Sequence, residues 1–296
     1  MAAITTAPTV AERRASRGLW GDAWRRLLRN RPAVLGMIVI VLFVFVAITA
    51  PFIAPYGPLD GTLANGLKPP SPAHWMGTDR QGRDELTRVL YGARVSLIAA
   101  IASVIMGLTI GGLAGSLAGG IGGRVDTVIM RITDVFLAIP GILLAIGIVA
   151  WLGQGLPQIM FAVAMTNAPI FARILRGSLL SLRESDYVIA SRSVGATGGR
   201  LLVRHLLPNS LTPLIVAGTL ALATAIIDVA GLGFLGLGIP DPRTPEWGTM
   251  LNDASKFFRQ APWLLFFPGL AIVVTAVGFN LLGDGLRESL DPRMKR

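Results

Sequence analysis

The chain has 296 residues, of which 52% are hydrophobic and only 15% are charged, and its mean hydropathy is +0.62. A soluble globular domain carries about 25% charged residues, so the composition excludes an ordinary soluble protein and favours one embedded in a bilayer. The net charge is +10, but the Arg and Lys residues are grouped between long uncharged stretches. This distribution is typical of membrane-flanking charge rather than of a nucleic-acid-binding face.

Uncharged runs long enough to cross about 30 Å of hydrocarbon, which takes roughly 20 residues, occur along the whole chain. In chain order they lie at 32–59, 95–123, 135–172, 206–240 and 260–283, with Asp228 as one interruption. The break at 153–157 divides the third run into two spans. The sequence therefore predicts an all-α polytopic membrane protein with six transmembrane helices.

Positive charge predicts the orientation of these spans. Most Arg and Lys residues lie in the N-terminal segment, in 173–205 and in the C-terminal tail, and cytoplasmic flanks keep such an excess. Both termini are therefore expected in the cytoplasm, in a multi-pass protein of the inner cell membrane. The predicted parts are a cytoplasmic segment 1–32, a first transmembrane helix 33–54, an extracytoplasmic loop 55–94, a five-helix domain 95–284 with an inner loop 176–208, and a cytoplasmic tail 285–296.

The second span carries a glycine at every fourth position: Gly107, Gly111, Gly115, Gly119 and Gly123. Such spacing predicts a groove on one helix face where another helix can pack closely. Static tight packing and a moving interface in a transport cycle both remain open as interpretations.

The chain lacks the residues that common catalytic sites need. It has no Cys, and its two His residues, His74 and His205, are far apart in sequence. None of Lys68, Lys256 and Lys295 follows a Gly, as the ATP-binding G-K-[ST] loop requires. We therefore expect no enzyme, no metal site and no cofactor bound by this chain, so that any ATP hydrolysis comes from another subunit.

The inner loop 176–208 has apolar residues at helical spacing on both sides of Gly195. A glycine commonly follows a helix C-terminus. Pro208 stands where the next membrane helix would begin, a position that tolerates its missing N–H. The sequence predicts a helix, a glycine turn and a second helix, all exposed to the cytoplasm.

This loop resembles that of the membrane subunits of ATP-binding-cassette importers, which reads E-A-A, three residues, G, nine residues, I-x-L-P. The positions that match are Ala190, Gly195, Leu207 and Pro208, and those that depart are Ile189, Ser191 and His205. The resemblance implies a coupling helix that contacts an ATPase. Its expected contact residues are Glu184, Asp186, Ile189, Ala190, Ser191, Arg192, Gly195 and Ala196. Because Ile189 replaces the family's Glu, the charged contact is expected from Glu184, Asp186 or Arg192.

Two further segments are similar to the C-type permease of the dipeptide, oligopeptide and nickel branch. Residues 74–97 resemble H-x-L-G-T-D-x-x-G-R-D-x-x-S-R-x-x-Y-G-A-R-x-S-L, with Met76 and Thr87 as departures. Residues 233–248 resemble its F-L-G-L-G and P-x-x-P-x-W-G run. Together with the span layout, the resemblance covers about residues 20–290.

The first of these segments also predicts a short amphipathic helix outside the membrane. Leu86, Val89 and Leu90 share one helical face, while the charged residues between them can face water. The signature residues of the segment are Gly77, Thr78, Asp79, Gly82, Arg83, Asp84 and Arg88. They are expected either to hold the loop together or to contact a docked partner.

Asp228 is the one ionised side chain well inside a predicted span, and such residues are functional candidates because of their desolvation cost. At about 1.5 Å per residue, it lies about 26 Å along the helix from Leu211, near the outer mouth. It is a candidate translocation gate, or a carboxylate bonded to neighbouring groups. Asp126, Arg131 and Asp134 are expected to form a solvated or interhelical ion-pair set.

The resemblance implies the type I importer permease fold and the function of a permease subunit in an ATP-driven importer of di- and oligopeptides. The implied partners are a paralogous permease forming a heterodimer, two ATPase subunits that bind ATP and Mg, an extracytoplasmic substrate-binding protein, a peptide substrate and the lipid bilayer. Import of nickel or another small solute is an alternative. A self-sufficient secondary transporter is an alternative from a different class.

Overall fold

A computed structural model describes residues 19–241 and 243–290, apart from the side chains of Leu19, Trp20, Asp22 and Arg192. Residues 1–18 and 291–296 of the two predicted cytoplasmic segments lie outside the described residues. The helices are α1 (Leu19–Arg29), α2 (Arg31–Ile53), α3 (Glu85–Ile121), α4 (Gly123–Ala138), α5 (Gly141–Leu152), α6 (Leu156–Arg183), α7 (Asp186–Ser193), α8 (Gly198–Leu201), α9 (Leu207–Leu232), α10 (Trp247–Ser255) and α11 (Trp263–Leu290). Within the described ranges, the only β pairing is an isolated bridge between Thr78 and Asp84.

In the part of the chain that the structure describes, five helical segments are long and apolar enough to cross a membrane. They are α2, α3, α6, the continuous stretch Gly198–Leu237 that contains α9, and α11. The helices α4 and α5 are bent by 96° at a short break, and they make a sixth span only if the pair is counted as one. The break lies inside the predicted third span, which begins at residue 135 and leaves most of α4 outside it. Ile139 has an extended backbone (φ −94°, ψ 129°), because the residue before Pro140 is sterically disfavoured from the helical region.

The predicted short outer helix is wrong, since residues 85–94 are the first turns of α3. The Asp84 carboxylate caps α3 by accepting a hydrogen bond from the Thr87 amide at 2.8 Å, and the helix continues unbroken for 37 residues. Glu85 and Arg88, which were expected to face water, are only 2% and 4% exposed. The later segment that includes α10 packs over these turns and shields the charged side chains of Glu85 and Arg88 from water.

The glycines of α3 pack against the backbone of α6 and form the central seam of the molecule. A Cβ at Gly115 would lie 2.6 Å from the Ala172 carbonyl oxygen, and one at Gly111 would collide with the Ala168 carbonyl. Gly123 does not belong to this row, because it has φ +58° and begins α4. The seam supports the core, in which Phe171, Leu175, Ile226, Val229 and Phe279 are buried.

Candidate functional site

The inner loop presents a short helix, α7, whose side chains are mostly exposed. Val188 is fully buried and anchors the helix to the core. Ile189 and Tyr187 are 51% and 40% exposed. The predicted contact residues Glu184, Asp186, Ala190 and Gly195 are exposed, and Ser191 and Ala196 are half-buried. The backbone of Arg192 belongs to α7, but its side chain lies outside the described residues. A helix held by one anchor with exposed apolar residues beside it has the form of a docking element.

Gly195 ends α7 with φ +86°. The amide of Ala196 donates to the Ser191 carbonyl at 3.1 Å, and that of Val194 donates to the Ala190 carbonyl at 3.3 Å. The first bond is the six-to-one bond of a Schellman motif, which needs a left-handed residue at this position. A Cβ at Gly195 would meet nothing within 4 Å. Glycine is therefore required here by the backbone conformation and not by space.

Ion pairs join α6 to α4 just before the loop. Arg176 donates two hydrogen bonds to the Asp126 carboxylate, at 2.5 and 2.6 Å. Arg173 donates to Asp134 at 2.7 Å, with both side chains half exposed. Arg131, expected in the same set, is exposed to solvent. The bent α4 is thus fastened to α6 by two interhelical pairs.

A cavity of about 620 Å³ opens beside these pairs, between α4, α6 and α9. Its lining is mostly apolar, but it also carries four polar or charged side chains: Arg173, Ser178, Ser181 and Asn209. Both the size and the mixed lining are those of a pocket that can admit a small hydrated solute.

The opposite end of the molecule forms a cross-linked unit, here named the outer cap, which comprises residues 61–96, the turn 233–238 and α10. Within it Asp79 accepts hydrogen bonds from the Gln81 and Arg83 amides and from Arg83 Nε at 2.6 Å. Asp84 accepts from the Thr87 amide and pairs with His74 Nδ1 at 2.9 Å. Every one of these contacts is made within the loop itself.

The other signature residues also act within the outer cap. The Thr78 hydroxyl donates to the Asn65 carbonyl at 2.6 Å and accepts from the Lys68 amide. Gly77 and Gly82 have φ values of +80° and +75°, and both lie against neighbouring chain with no room for a Cβ. These contacts support the interpretation that the signature holds the loop together.

Arg88 is a buried residue of the outer cap that lines two cavities. Its Nε lies 3.6 Å from Asp79 Oδ2, and among the described residues its buried Nη1 has no hydrogen-bond partner. Arg88 and Asp253 line two small cavities of about 140 Å³ each, one beside Glu85 and the other beside the turn 233–238.

Sequence reasoning missed the link between α3 and α10. The Glu246 carboxylate, 1% exposed, accepts hydrogen bonds from the Gly248 and Thr249 amides at 2.7 and 2.8 Å and one from the Ser96 hydroxyl. The fully buried Trp247 donates from Nε1 to the Val89 carbonyl at 3.0 Å. Burial raises the pKa of Glu246 despite these hydrogen bonds. Little in the sequence signalled this cap, because N-cap positions favour Ser, Thr, Asp and Asn rather than Glu.

The turn 233–238 after α9 interrupts the helix, and side chains from other parts of the chain hold it by hydrogen bonds. Gly236 has φ +79°, which frees nearby carbonyl groups from helical bonding. The Gln154 side chain donates to the Gly236 carbonyl at 2.8 Å, and the Asn252 side chain donates to the Phe234 carbonyl at 2.6 Å.

Asp228 lies one turn before the end of α9 and is half-buried. Within the described chain it has no hydrogen bond or ion pair, so the structure gives no support to a carboxylate bonded to its neighbours.

The described chain thus combines a bundle of helices able to cross a membrane, an outer cap held by buried hydrogen bonds, and the largely exposed helix α7. This is the architecture of a multi-pass membrane protein. Residues 107–296 match the family described as binding-protein-dependent transport system inner membrane component, and residues 18–70 match the N-terminal TM domain of oligopeptide transport permease C. The chain therefore belongs to the family of binding-protein-dependent transport permeases, which confirms the resemblance drawn from its motifs.

Named relatives cover nearly the whole chain. It is 46% identical, over 93% of its length and 90% of the relative, to the dipeptide transport system permease protein of Alkalihalophilus pseudofirmus. It is 46% identical, over 93% of its length and 91% of the relative, to the glutathione transport system permease protein of Escherichia coli O157:H7. It is 42% identical, over 95% of its length and 92% of the relative, to the oligopeptide transport system permease protein of Bacillus subtilis strain 168.

A solved structure shares the fold. A chain from the MetNI methionine ABC transporter, solved in inward-facing conformations, matches with a TM-score of 0.58 and 22% identity, over 69% of this chain and 96% of that one. This confirms the predicted importer permease fold. Membership of the family places the chain in the inner membrane, as the permease of a system that also has ATPase and substrate-binding components.

Proposed function

We propose that this chain is one of two permease subunits in an ATP-driven importer of di- and oligopeptides. The observation that carries the proposal is the relatedness over more than nine-tenths of the chain to permeases named for dipeptide and oligopeptide transport. The 620 Å³ cavity beside Arg173 supports it, because a passage for a small polar solute needs polar groups in an otherwise apolar wall.

In this proposal the chain hydrolyses nothing itself, and ATP and Mg are bound by two partner ATPase subunits. The helix α7 docks on one ATPase through Ile189 and Tyr187, with the charged contact made by Glu184, Asp186 or Arg192. Val188 transmits the displacement to the core, since it is the fully buried side chain of that helix. A ligand-driven change of this kind requires two packings that the ATPase state biases.

The remaining assignments follow the same scheme. A paralogous permease forms the other half of the pathway, and a substrate-binding protein delivers the peptide to the outer cap. Both termini lie in the cytoplasm, which is supported by the basic residues of α1 at the start of α2. The predicted division of the chain at 32, 54, 94 and 284 remains part of this proposal.

Co-purification from native membranes tests the docking step. Ile189→Asp places a charge on the exposed apolar side of α7, and we expect recovery of the ATPase subunits to fall by about tenfold, as for loss of one central interface contact. Leu63→Asp is the matched control, because Leu63 is 80% exposed in the outer loop. Equal ATPase recovery with both variants, or a wild-type chain that purifies alone, would overturn the assignment.

Uptake by the purified complex in liposomes tests the substrate. A radiolabelled dipeptide should accumulate only when ATP is present on the ATPase side, and nickel ions should not compete. Accumulation of nickel with no peptide uptake would replace peptide by metal as the cargo. Peptide accumulation by the chain alone, driven by an ion gradient, would instead establish a secondary transporter.

We propose Asp228 as a residue of the outer gate that meets the ammonium group of an arriving peptide. Its support is the half-buried, unpaired carboxylate near the end of α9. Asp228→Asn should raise the KM for a free dipeptide while leaving that for its N-acetylated form unchanged. If both substrates respond equally to the substitution, the ammonium contact is refuted.

A further inference from the structure

The helix α1 lies at the membrane face where α2 begins and α11 ends. Asn30 separates α1 from α2 with a non-helical backbone, and its side chain both caps α2 and donates to Glu288 Oε2 at 2.6 Å. Leu27 of α1 lies against Gly285 of α11. With 11 residues, α1 is too short to cross a bilayer, which takes roughly 20. The helix is therefore held at the bilayer surface by the ends of two spans.

The described side chains of α1 fall into three sectors, since successive residues are about 100° apart around a helix. Ala23 and Leu27 share the sector that is buried on the protein. Trp24 and Leu28 form an adjacent apolar sector and are 53% and 48% exposed. The third, basic sector carries Arg25, Arg26 and Arg29, and the helical position of Asp22 falls within it, so that three positive charges outweigh one negative charge there.

This arrangement is unusual for a helix that faces only water. A large aromatic side chain and a leucine lie outside the core, next to one another, and directly border a cluster of three guanidinium groups. Trp is favoured where an apolar layer meets a polar one, and a helix with a packed side, an apolar side and a basic side is suited to the headgroup region of a membrane.

We propose that α1 is a binding site for anionic phospholipids, with the basic sector contacting headgroup phosphates and Trp24 and Leu28 inserted among the acyl chains. The occupant is set by charge complementarity, because guanidinium groups pair well with phosphate oxygens and basic clusters next to a span attract anionic lipid. A zwitterionic lipid offers no net charge for this cluster. The proposal rests on membrane insertion of the chain and is independent of which solute it transports.

Native mass spectrometry of the purified full-length chain, titrated with phosphatidylglycerol or phosphatidylcholine, measures this binding. The test variant is Arg25→Gln/Arg26→Gln/Arg29→Gln. Its matched control is Arg80→Gln/Lys256→Gln/Arg259→Gln, which also removes three positive charges, all of them on exposed side chains distant in sequence from α1. We expect the test variant to weaken phosphatidylglycerol binding at least tenfold and the control less than twofold. Equal weakening by both variants, or equal binding of both lipids by the wild type, would overturn the proposal.

A second measurement locates the lipid beside Trp24. Vesicles containing brominated phosphatidylglycerol should quench part of the tryptophan fluorescence, and Trp24→Phe should remove that part. Unchanged quenching in Trp24→Phe would refute insertion.

The native mass spectrometry titration, repeated on the complete complex, separates lipid from protein as the occupant of α1. If the assembled complex loses the phosphatidylglycerol binding that the free chain shows, α1 is a subunit contact and the proposal fails. Peptide uptake is not a readout here, so failure of the proposed substrate leaves this test intact.

Discussion

The outer cap and the inner loop are built in opposite ways. In the outer cap, Glu246 and Trp247 are buried and bonded to residues about 150 positions earlier in the chain. In the inner loop, Val188 is the one buried residue among the described side chains of α7, while Ile189 and Val194 are 51% and 85% exposed. Buried hydrogen bonds hold distant parts of a chain together, whereas large exposed apolar side chains are typical of contact surfaces. The difference teaches that the outer cap is stabilised mainly by contacts within the chain, and that α7 leaves apolar side chains without such contacts.

The largest expected effect tests whether the outer cap is as rigid as its burial indicates. Trp247→Ala removes a fully buried indole and its hydrogen bond to the Val89 carbonyl, and should lower the free energy of unfolding by about 3–5 kcal/mol. Thermal unfolding of the detergent-solubilised chain measures it. Trp75→Ala is the control, since Trp75 is 71% exposed, and it should change stability by less than about 0.5 kcal/mol. Similar losses in both variants would contradict the comparison.

The glycine seam of α3 and α6 is tested by two adjacent glycines, one that contacts α6 and one that does not. Gly111→Ala would drive a Cβ into the Ala168 carbonyl, whereas at Gly112 nothing lies within 4 Å of a Cβ. We expect Gly111→Ala to destabilise the chain by about 1–3 kcal/mol and Gly112→Ala to be neutral or to stabilise it by up to about 1 kcal/mol. Thermal unfolding of the two variants side by side is the measurement. If Gly111→Ala is as stable as the wild type, the helices are not in the close contact described.

A smaller and more local effect is expected in the inner loop. Gly195→Ala forces a Cβ into a left-handed backbone, at a cost of about 1–2 kcal/mol, and should loosen α7 without unfolding the core. The ratio of solute uptake to ATP hydrolysis in the reconstituted complex should fall, while the unfolding temperature changes little. Gly199→Ala lies in the helical α8 with open space around it and should leave the ratio unchanged. A normal ratio in Gly195→Ala would show that this turn does not transmit the motion.

The smallest expected effect is a pH dependence of opposite sign at two carboxylates. Burial raises the pKa of Glu246 above its usual 4.5, so the native state retains a proton that the unfolded chain releases. The resulting stability is full below pH 4.5 and is lost as the pH rises through the raised value. The Arg243 hydrogen bond lowers the pKa of the exposed Asp241 below 3.8, so its contribution is present above pH 3.8 and is lost in stronger acid.

The unfolding temperature, followed from pH 3 to pH 8, separates these contributions. Glu246→Gln should remove part of a downward slope above pH 4.5, and Asp241→Asn should alter the curve only at the acid end. A wild-type slope retained in Glu246→Gln would show that Glu246 does not contribute to it.

Much of the fold was predictable because it depends on local patterns. The apolar runs predicted the spans, the four-residue glycine spacing predicted a close helix contact, and Gly195 predicted the end of a loop helix. Each of these features is determined by hydropathy or backbone conformation within a few residues. The partner of the glycine row was not predictable, since nothing in the row itself distinguishes α6 from another helix.

The wrong predictions also have physical causes, because they concern features that local sequence does not determine. An uncharged run does not show that Pro140 breaks it, and the charged residues between 124 and 134 placed most of α4 outside the predicted third span. The charges of Glu85 and Arg88 indicated a water-facing helix, but α10 covers them from a distant part of the chain. The contact between Ser96 and Glu246 joins residues 150 positions apart, and a single sequence carries no signal of such a pairing.

The glycine seam has a mechanical consequence. The helix α3 begins in the outer cap and is about 55 Å long at about 1.5 Å per residue. The part of it that carries the glycine row lies against α6, which ends close to the start of α7. At Gly111 and Gly115 the two backbones are in close contact, and Phe171 and Leu179 pack against the same row, so that a tilt of one helix must displace the other. Linkage between sites is reciprocal, so a ligand at one end of the bundle that raises an affinity at the other end tenfold would itself bind tenfold more tightly when that other end is occupied. The close contact along the glycine row is the physical connection through which such an effect would pass.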